Sequence, residues 1–233
     1  MVNEKFWGKY FRVCKRGGKN FMVYEKESLF NNLAFLVRCA RIFYNFFNLE
    51  RVESKEERQT FTNIWYNIWL KEGYATHEES ILEKKKVYEK VSKDFLIKFL
   101  FLPIGTIRII FNEDVEFPII NNFEIQRDFD NEKVVELSLF SIRKFFRFSH
   151  VSSLIAIKKI YKLLKKERIT GFLAALDRRL YIFLKERLQI PLYKIGKEKI
   201  YEGSLTYPVY LNLREAEEFL RANNYQIYKF FIL

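Results

Sequence analysis

The strongest constraint on the fold is a change of hydrophobic period at Ser92. Upstream, Phe61, Ile64, Trp65, Ile68 and Trp69 recur at helical spacing on one face. Downstream, the runs DFLIKFLFL, IGTIRIIF and VVELSLFSI are apolar, rich in β-branched and aromatic residues, and poor in turn residues. That composition reads as buried strands. The first two are expected to join at Pro103–Gly105, with VVELSLFSI, Val134 to Ile142, as the next strand. Two of these strands carry charge, Arg108 in one and Glu136 in the other. A carboxylate in an apolar strand is costly to bury unless paired. If the two strands are neighbours, Arg108 can reach Glu136, and the bland reading is a satisfied ion pair of little net stability.

The remaining elements follow from caps and breakers. Trp7 to Lys15 and Phe21 to Tyr24 read as two strands around Gly17-Gly18. Ser28 can cap an apolar helix running to about Asn48. Ser54-x-x-Glu57 is a capping box opening the helix that Gly73 ends. Thr76-x-x-Glu79 is a second box before the charged run EKKKVYEK, a short helix or loop. PIINNFEI reads as a loop or short helix. Ser149 or Ser152 starts the helix SSLIAIKKIYKLLKKE, ending at Gly171. FLAAL is a short buried strand, RRLYIFLKERL an amphipathic helix closed by Pro191, and YKIG and SLTYPVYLNL two more strands. Asn212-x-x-Glu215 caps a helix through Leu220, before the apolar tail YQIYKFFIL. The mixture is α+β, or mixed α/β, with a largely antiparallel sheet. One domain over residues 1–233 is expected, with no linker or repeat.

Composition removes several classes. Hydrophobic residues make up 49% of the 233, enough for a substantial core. The two cysteines, Cys14 and Cys39, and the two histidines, His77 and His150, have no metal-type or disulfide-type spacing, so no metal and a reduced, cytoplasmic setting are expected. The apolar region Phe95 to Phe111 is interrupted by Lys98, Pro103 and Arg108, which argues against a membrane-spanning helix, and the N-terminus has no signal-peptide core. There is no GxxxxGK[ST], GxGxxG after a strand, HExxH or GxSxG. A net charge of +12 favours an acidic partner without choosing between nucleic acid, anionic membrane and acidic protein.

The spacing of IGTIRII, about 30 residues, VVELSLFSIRKFFR, a helix and a short strand resembles the N-acyl amino acid synthases and acyl-homoserine-lactone (autoinducer) synthases. These share the GCN5-related N-acetyltransferase fold, and the resemblance covers Ser92 to Leu213 best. The family patterns "(I/V)G(T/S)xR" and "ExSRxxV" are matched by Gly105, Thr106, Arg108, Glu136, Ser138 and Ile142. LVRCARIFYNFF resembles the family's "LRxxVYxxE" helix, with Arg38 as its arginine. The chain departs from the pattern at Leu139, where the family has arginine, and in EKKKVYEK, where only Glu89 matches the acidic loop "ExDxxD". The helix Ser54–Glu72 is an insertion. The pyrophosphate loop "(Q/R)xxGx(G/A)" would fall on Arg147 to Ser152, with both glycines replaced, at His150 and Ser152. That suits a single phosphate, as on the phosphopantetheine arm of acyl carrier protein, better than the pyrophosphate of coenzyme A.

The resemblance implies an acyltransferase of this fold, with no permanent cofactor and an acyl-phosphopantetheine thioester as co-substrate. It would move a long-chain acyl group from acyl carrier protein or acyl-CoA to an amine such as an amino acid. Glu136 and Ser138 would be catalytic, Glu136 as base or as the group fixing Arg108. Arg108, Arg38, Phe140 and Ile142 would bind substrate, and Arg143, Lys144, Arg147, Ser149 and Ser152 would receive the donor. A slot is expected between the Glu136 strand and FLAAL. Two alternatives stand beside this reading. One is a non-catalytic binding module of the same fold, favoured by Leu139 and the basic EKKKVYEK loop. The other is a basic nucleic-acid or membrane-surface protein, which would need charges and exposed aromatics gathered on one face.

Overall fold

A computed structural model describes residues 11–16, 19–24, 26–74, 87–111, 116–125, 129, 132–147 and 150–232, those up to residue 32 by backbone alone. Strands β1 (Phe11–Arg16) and β2 (Lys19–Tyr24) form an antiparallel hairpin of their own. The Gly17-Gly18 turn, His77 and the Thr76 box lie outside the described residues. Helix α1 (Lys26–Phe43) begins before Ser28 and ends earlier than the sequence suggests. After one tight turn, Phe47–Arg51 forms strand β3, which continues the apolar pattern of the helix but pairs with β4 (Ser92–Phe99). Helix α2 (Lys55–Glu72) starts at the expected capping box. Ser54 Oγ accepts from the Glu57 N–H at 3.1 Å, and Glu57 Oε2 accepts from the Ser54 N–H at 3.0 Å.

The β4–β5 turn falls at Leu100–Phe101 rather than at Pro103–Gly105. Leu100 takes the left-handed conformation that turns need, at φ 56°. Strand β5 therefore runs Leu102–Phe111, with Pro103 inside it at a register shift. The chain continues through α3 (Pro118–Asn122), β6 (Val134–Ile142), α4 (Val151–Lys166), β7 (Gly171–Asp177) and α5 (Arg178–Ile182), which widens into a π-type turn over Phe183–Arg187. Strands β8 (Tyr193–Lys194), β9 (Lys199–Tyr201) and β10 (Ser204–Asn212) and helices α6 (Leu213–Asn223) and α7 (Tyr225–Phe231) complete it. Two expectations change here. Gly171 opens β7 instead of ending α4, and the apolar tail is helical because Asn224 caps it by accepting from the Ile227 N–H.

Among the described residues, eight strands form one sheet in the order β3-β4-β5-β6-β7-β10-β8, with β9 on β10. Every pairing in it is antiparallel except β6 with β7. One face packs on α1, α4, α6 and α7 through residues such as Val37, Leu154, Leu213 and Ile227. The other is covered by α2, through Phe61, Ile64 and Trp65, and by α3, through Phe117 and Ile119. A buried Phe or Ile stabilises by roughly 1.5–3 kcal/mol, so both faces are held mainly by apolar burial.

One polar contact crosses the α2 face. Asp94 on β4 lies directly opposite Arg108 on β5. Its carboxylate accepts from Arg108 Nε at 2.7 Å and from a terminal guanidinium nitrogen at 2.8 Å, and both residues are buried. Arg58 of α2 adds a weaker approach to Asp94 at 3.5 Å, and the Phe61 ring covers the guanidinium. The Arg108 fork expected for Glu136 is thus filled by Asp94. Removing one partner of a buried pair leaves an uncompensated charge, whereas replacing both by apolar groups is often neutral. Asp94→Asn should cost about 3–5 kcal/mol in denaturant unfolding, and the double change Asp94→Leu with Arg108→Met should recover most of that.

Candidate active site at the split in the sheet

Strands β6 and β7 pair in parallel only from Val134–Gly171 to Leu137–Ala174. Beyond that point β6 stays with β5, and β7 stays with β10. The sheet therefore opens into a V. A cavity of about 200 Å³ fills the opening, bordered by Leu137 to Phe140 on one side and Ala174 to Asp177 on the other. This is the slot expected between the Glu136 strand and FLAAL.

The shape of β6 comes from a bulge. Between Thr106 and Arg108 on β5 the register with β6 shifts, so three steps on β6 oppose two on β5. Leu139 absorbs the extra residue with φ 52°, and its carbonyl accepts from Thr106 Oγ1 at 2.8 Å. Gly105 is required beside it, because a Cβ there would lie 2.3 Å from the Ser141 carbonyl oxygen. The bulge also breaks the strict alternation expected for this strand. Phe140 and Ile142 pack toward the α4 side, while Leu139 joins Trp65 and Leu96 under α2. Phe140 and Ile142 therefore do not share the face of Glu136. Leu139, where the resemblance has arginine, is covered by apolar side chains of helix α2.

The cavity has two poles. Ile160, Leu164, Leu211, Leu220 and Phe231, from α4, β10, α6 and α7, make one end mainly apolar, with the hydrogen-bonded Tyr161–Glu217 pair at its wall. The other end carries Trp69, Tyr74, Asp177, Tyr201 and Glu202. Tyr74 and Tyr201 were not singled out from sequence. The signal available was turn chemistry, since each sits at a turn with a left-handed glycine, Gly73 or Gly203. Burial pushes the Tyr201 phenol well above its usual range, and the carboxylates of Glu202 and Glu136 push it further. Tyr201 thus stays protonated, with its hydroxyl hydrogen-bonded to Glu202 at the cavity wall.

The open end of the V is tied by ions. Glu72, at the end of α2, accepts from Arg147 beyond β6 at 2.8 Å and from Arg179 beyond β7 at 2.9 Å. Burial raises the Glu72 pKa, but the two arginines more than offset it and hold the carboxylate below its usual range. Arg179 also donates to Tyr74 Oη at 2.6 Å, and Asp177 Oδ1 caps α5 by accepting from the Leu180 N–H at 2.9 Å.

Neither a known protein family nor a curated protein matches the sequence. Among solved structures, the chain is similar to FeeM, an N-acyl amino acid synthase from uncultured soil microbes, with TM-score 0.57, 15% identity, and 74% of this chain and 93% of that one covered. It is similar also to the AHL synthase LasI, with TM-score 0.54, 12% identity, and coverage of 72% and 89%. A spermidine N-acetyltransferase from Vibrio cholerae in complex with CoA and spermine aligns with TM-score 0.50, 12% identity, and coverage of 74% and 98%. The chain has the GCN5-related N-acetyltransferase fold. In this acetyltransferase fold the split lies between β6 and β7, and α2 covers the face opposite α4.

The remaining sequence candidates are distributed unevenly around the split. Ser138 and Phe140 wall the cavity. Glu136 is buried beside it, where Oε2 accepts from the Ile119 N–H at 2.8 Å in the first turn of α3, so that it anchors α3 to the sheet. Arg108 is committed to Asp94. Arg38 is exposed on the outer face of α1, away from the cavity wall. Arg143 and Lys144 are exposed beyond β6. Arg147 also donates through Nε to the Ile142 carbonyl at 2.9 Å. The Ser152 hydroxyl is buried and donates to the Phe146 carbonyl, which closes the loop internally. Ser149 lies outside the described residues. No group of three or more metal-ligating side chains occurs among the described residues.

His150 takes the left-handed backbone geometry that glycine favours, with φ 73°, and its ring stacks on Phe183 at 4.2 Å. Burial lowers its pKa, and the charges of Arg187 and Arg147 lower it further. The unfolded chain then binds more protons in the window below the ordinary histidine value of about 6.5. Thermal stability should fall on acidification through that window. His150→Asn, which tolerates the left-handed conformation and does not titrate, should flatten the fall in a melting-temperature series.

Proposed function

We propose that this protein is an N-acyltransferase that moves a long apolar acyl group from a phosphopantetheine thioester to an amine. The observation that carries this reading is the apolar cavity in the parted sheet, closed at its far end by α4, α6 and α7. It supplies a dry slot for an alkyl chain, with the strand edges of β6 and β7 at its neck. A thioester carbonyl seated at that neck would meet backbone amides of the bulged strand, which suit a developing oxyanion.

In the reaction the amine nitrogen attacks the carbonyl carbon and loses a proton. The tetrahedral oxyanion collapses, the carbon–sulfur bond breaks, and the thiolate leaves and takes up a proton. No covalent enzyme intermediate is needed. Asp177 and Glu202 give the polar pole a negative character, which favours an acceptor arriving as an ammonium ion. Ser138 is the side chain placed at the neck to hydrogen-bond the reacting groups, while Tyr201, hydrogen-bonded to Glu202, lines the polar pole. Glu136 serves as a positioning residue through α3. The spermidine acetyltransferase of the same fold has been solved with CoA and spermine, which supports a thioester donor and an amine acceptor.

The donor arm would pass the Arg147–Ser152 loop. His150 and the inward Ser152 hydroxyl reduce the room for a pyrophosphate there, which favours acyl carrier protein over acyl-CoA as donor. Native mass spectrometry with long-chain acyl-CoA and acyl carrier protein, followed by an amine screen, tests the reading. Stable binding with amide formation is expected, stronger with the carrier. Ala174→Trp, which fills the neck, should abolish thioester binding and turnover with the fold intact by circular dichroism. Binding without turnover on any amine would favour a non-catalytic module, and no binding of either thioester would exclude the acyltransferase.

A further inference from the structure

A second surface stands apart from the cavity. Phe43, Phe46, Phe99, Phe146 and Phe145 form a continuous run of ring contacts, each 5.4–6.3 Å from the next. The run links the end of α1, the β4–β5 turn and the turn after β6. Leu100 at that turn donates its N–H to the Phe46 carbonyl, which fixes the hairpin tip beside α1. Phe145 at the end of the run is 78% exposed, and Phe101 at the neighbouring hairpin tip is 85% exposed. Phe35 and Ile42 extend the apolar area along the outer face of α1, at 67% and 60% exposure. Large side chains projecting together from separate loops and a helix mark an interaction surface.

The charges around it are predominantly basic. The segments 33–49, 97–111 and 142–147 contain no Asp or Glu, and besides the buried Arg108 they contribute Arg38, Arg41, Lys98, Arg143, Lys144 and Arg147. Lys98 pairs with Glu50 and Arg147 with Glu72, which leaves the exposed Arg38, Arg41, Arg143 and Lys144 around the rings. On the adjoining face of α4, Lys159 and Lys162 lie over Tyr44 at 4.2 and 5.3 Å, with the buried Lys158 beside them.

We propose that this face docks in the plane of an anionic lipid bilayer. Phe101 and Phe145 would enter the interface while the arginines and lysines meet lipid phosphates. Aromatic tips inside a basic rim match the chemistry of that boundary, where apolar rings sit below the headgroups and long cationic side chains reach back to them. No helix among the described residues is long and apolar enough to cross a membrane, so the contact is peripheral. The docking does not depend on what the cavity holds.

Vesicle flotation with the full chain tests it. Partition into phosphatidylcholine–phosphatidylglycerol vesicles should far exceed that into phosphatidylcholine alone and should fall as salt rises. Phe101→Ser with Phe145→Ser, and separately Arg38→Glu with Lys144→Glu, should each lower the partition on the order of tenfold or more. All four positions are exposed, so circular dichroism should be unchanged. Absence of binding to anionic vesicles at low salt would overturn the proposal. So would variants that partition like the parent, or variants that lose an acidic carrier protein while still binding vesicles.

Discussion

Leu139 is a β-strand residue held in a left-handed conformation, and the path of β6 follows from it. A bulge bends its strand and increases the local twist. Here Leu139 comes two residues after Leu137, the last residue of β6 that pairs with β7. Past it, β6 follows β5 and leaves β7 to β10, and the space between them becomes the cavity. The Thr106 hydroxyl on the Leu139 carbonyl and the missing side chain of Gly105 hold the irregular register in place. The left-handed conformation costs a non-glycine residue of the order of 1 kcal/mol, a cost offset by burying Leu139 under α2.

Helix α2 connects stability with the site. Its middle seals one sheet face over the Asp94–Arg108 pair, and its end supplies Trp69, Glu72 and Tyr74 at the polar pole. Trp69 Nε1 donates to Ser141 Oγ at 3.2 Å on the bulged strand, while Glu72 spans the open end between Arg147 and Arg179. A shift of α2 would therefore be felt at the buried pair and at the mouth together. Leu139 in place of arginine belongs to the same arrangement, since an apolar residue is what the underside of α2 accommodates.

Much of this fold was legible in the sequence because local chemistry and tertiary structure agree. The Ser54–Glu57 box and Gly73 bound α2 closely, and the apolar runs from Ser92 onward are strands. Elements that tertiary pairing decides were not legible. Phe47–Arg51 reads as the end of a helix until β4 pairs with it, and the Leu100–Phe101 turn has none of the residues that announce one. At the candidate site, Ser138 and Phe140 of the motif strand line the cavity. The pairing of Arg108 was misjudged because Asp94 heads an apolar run and attracted no notice. Strict alternation failed for Phe140 and Ile142 because nothing in the sequence marks a bulge at a leucine. Tyr74 and Tyr201 were hidden for a similar reason, each belonging to a turn whose position depends on the fold.

The central claim is that the parted strands hold an acyl thioester, and a crystal structure with a hydrolysis-resistant long-chain acyl-phosphopantetheine analogue tests it most directly. The account predicts the alkyl chain between α4, α6 and α7, with the carbonyl oxygen at the neck within hydrogen-bond reach of the β6 backbone near Leu139. An analogue bound elsewhere on the protein, with the space between β6 and β7 empty, would contradict it.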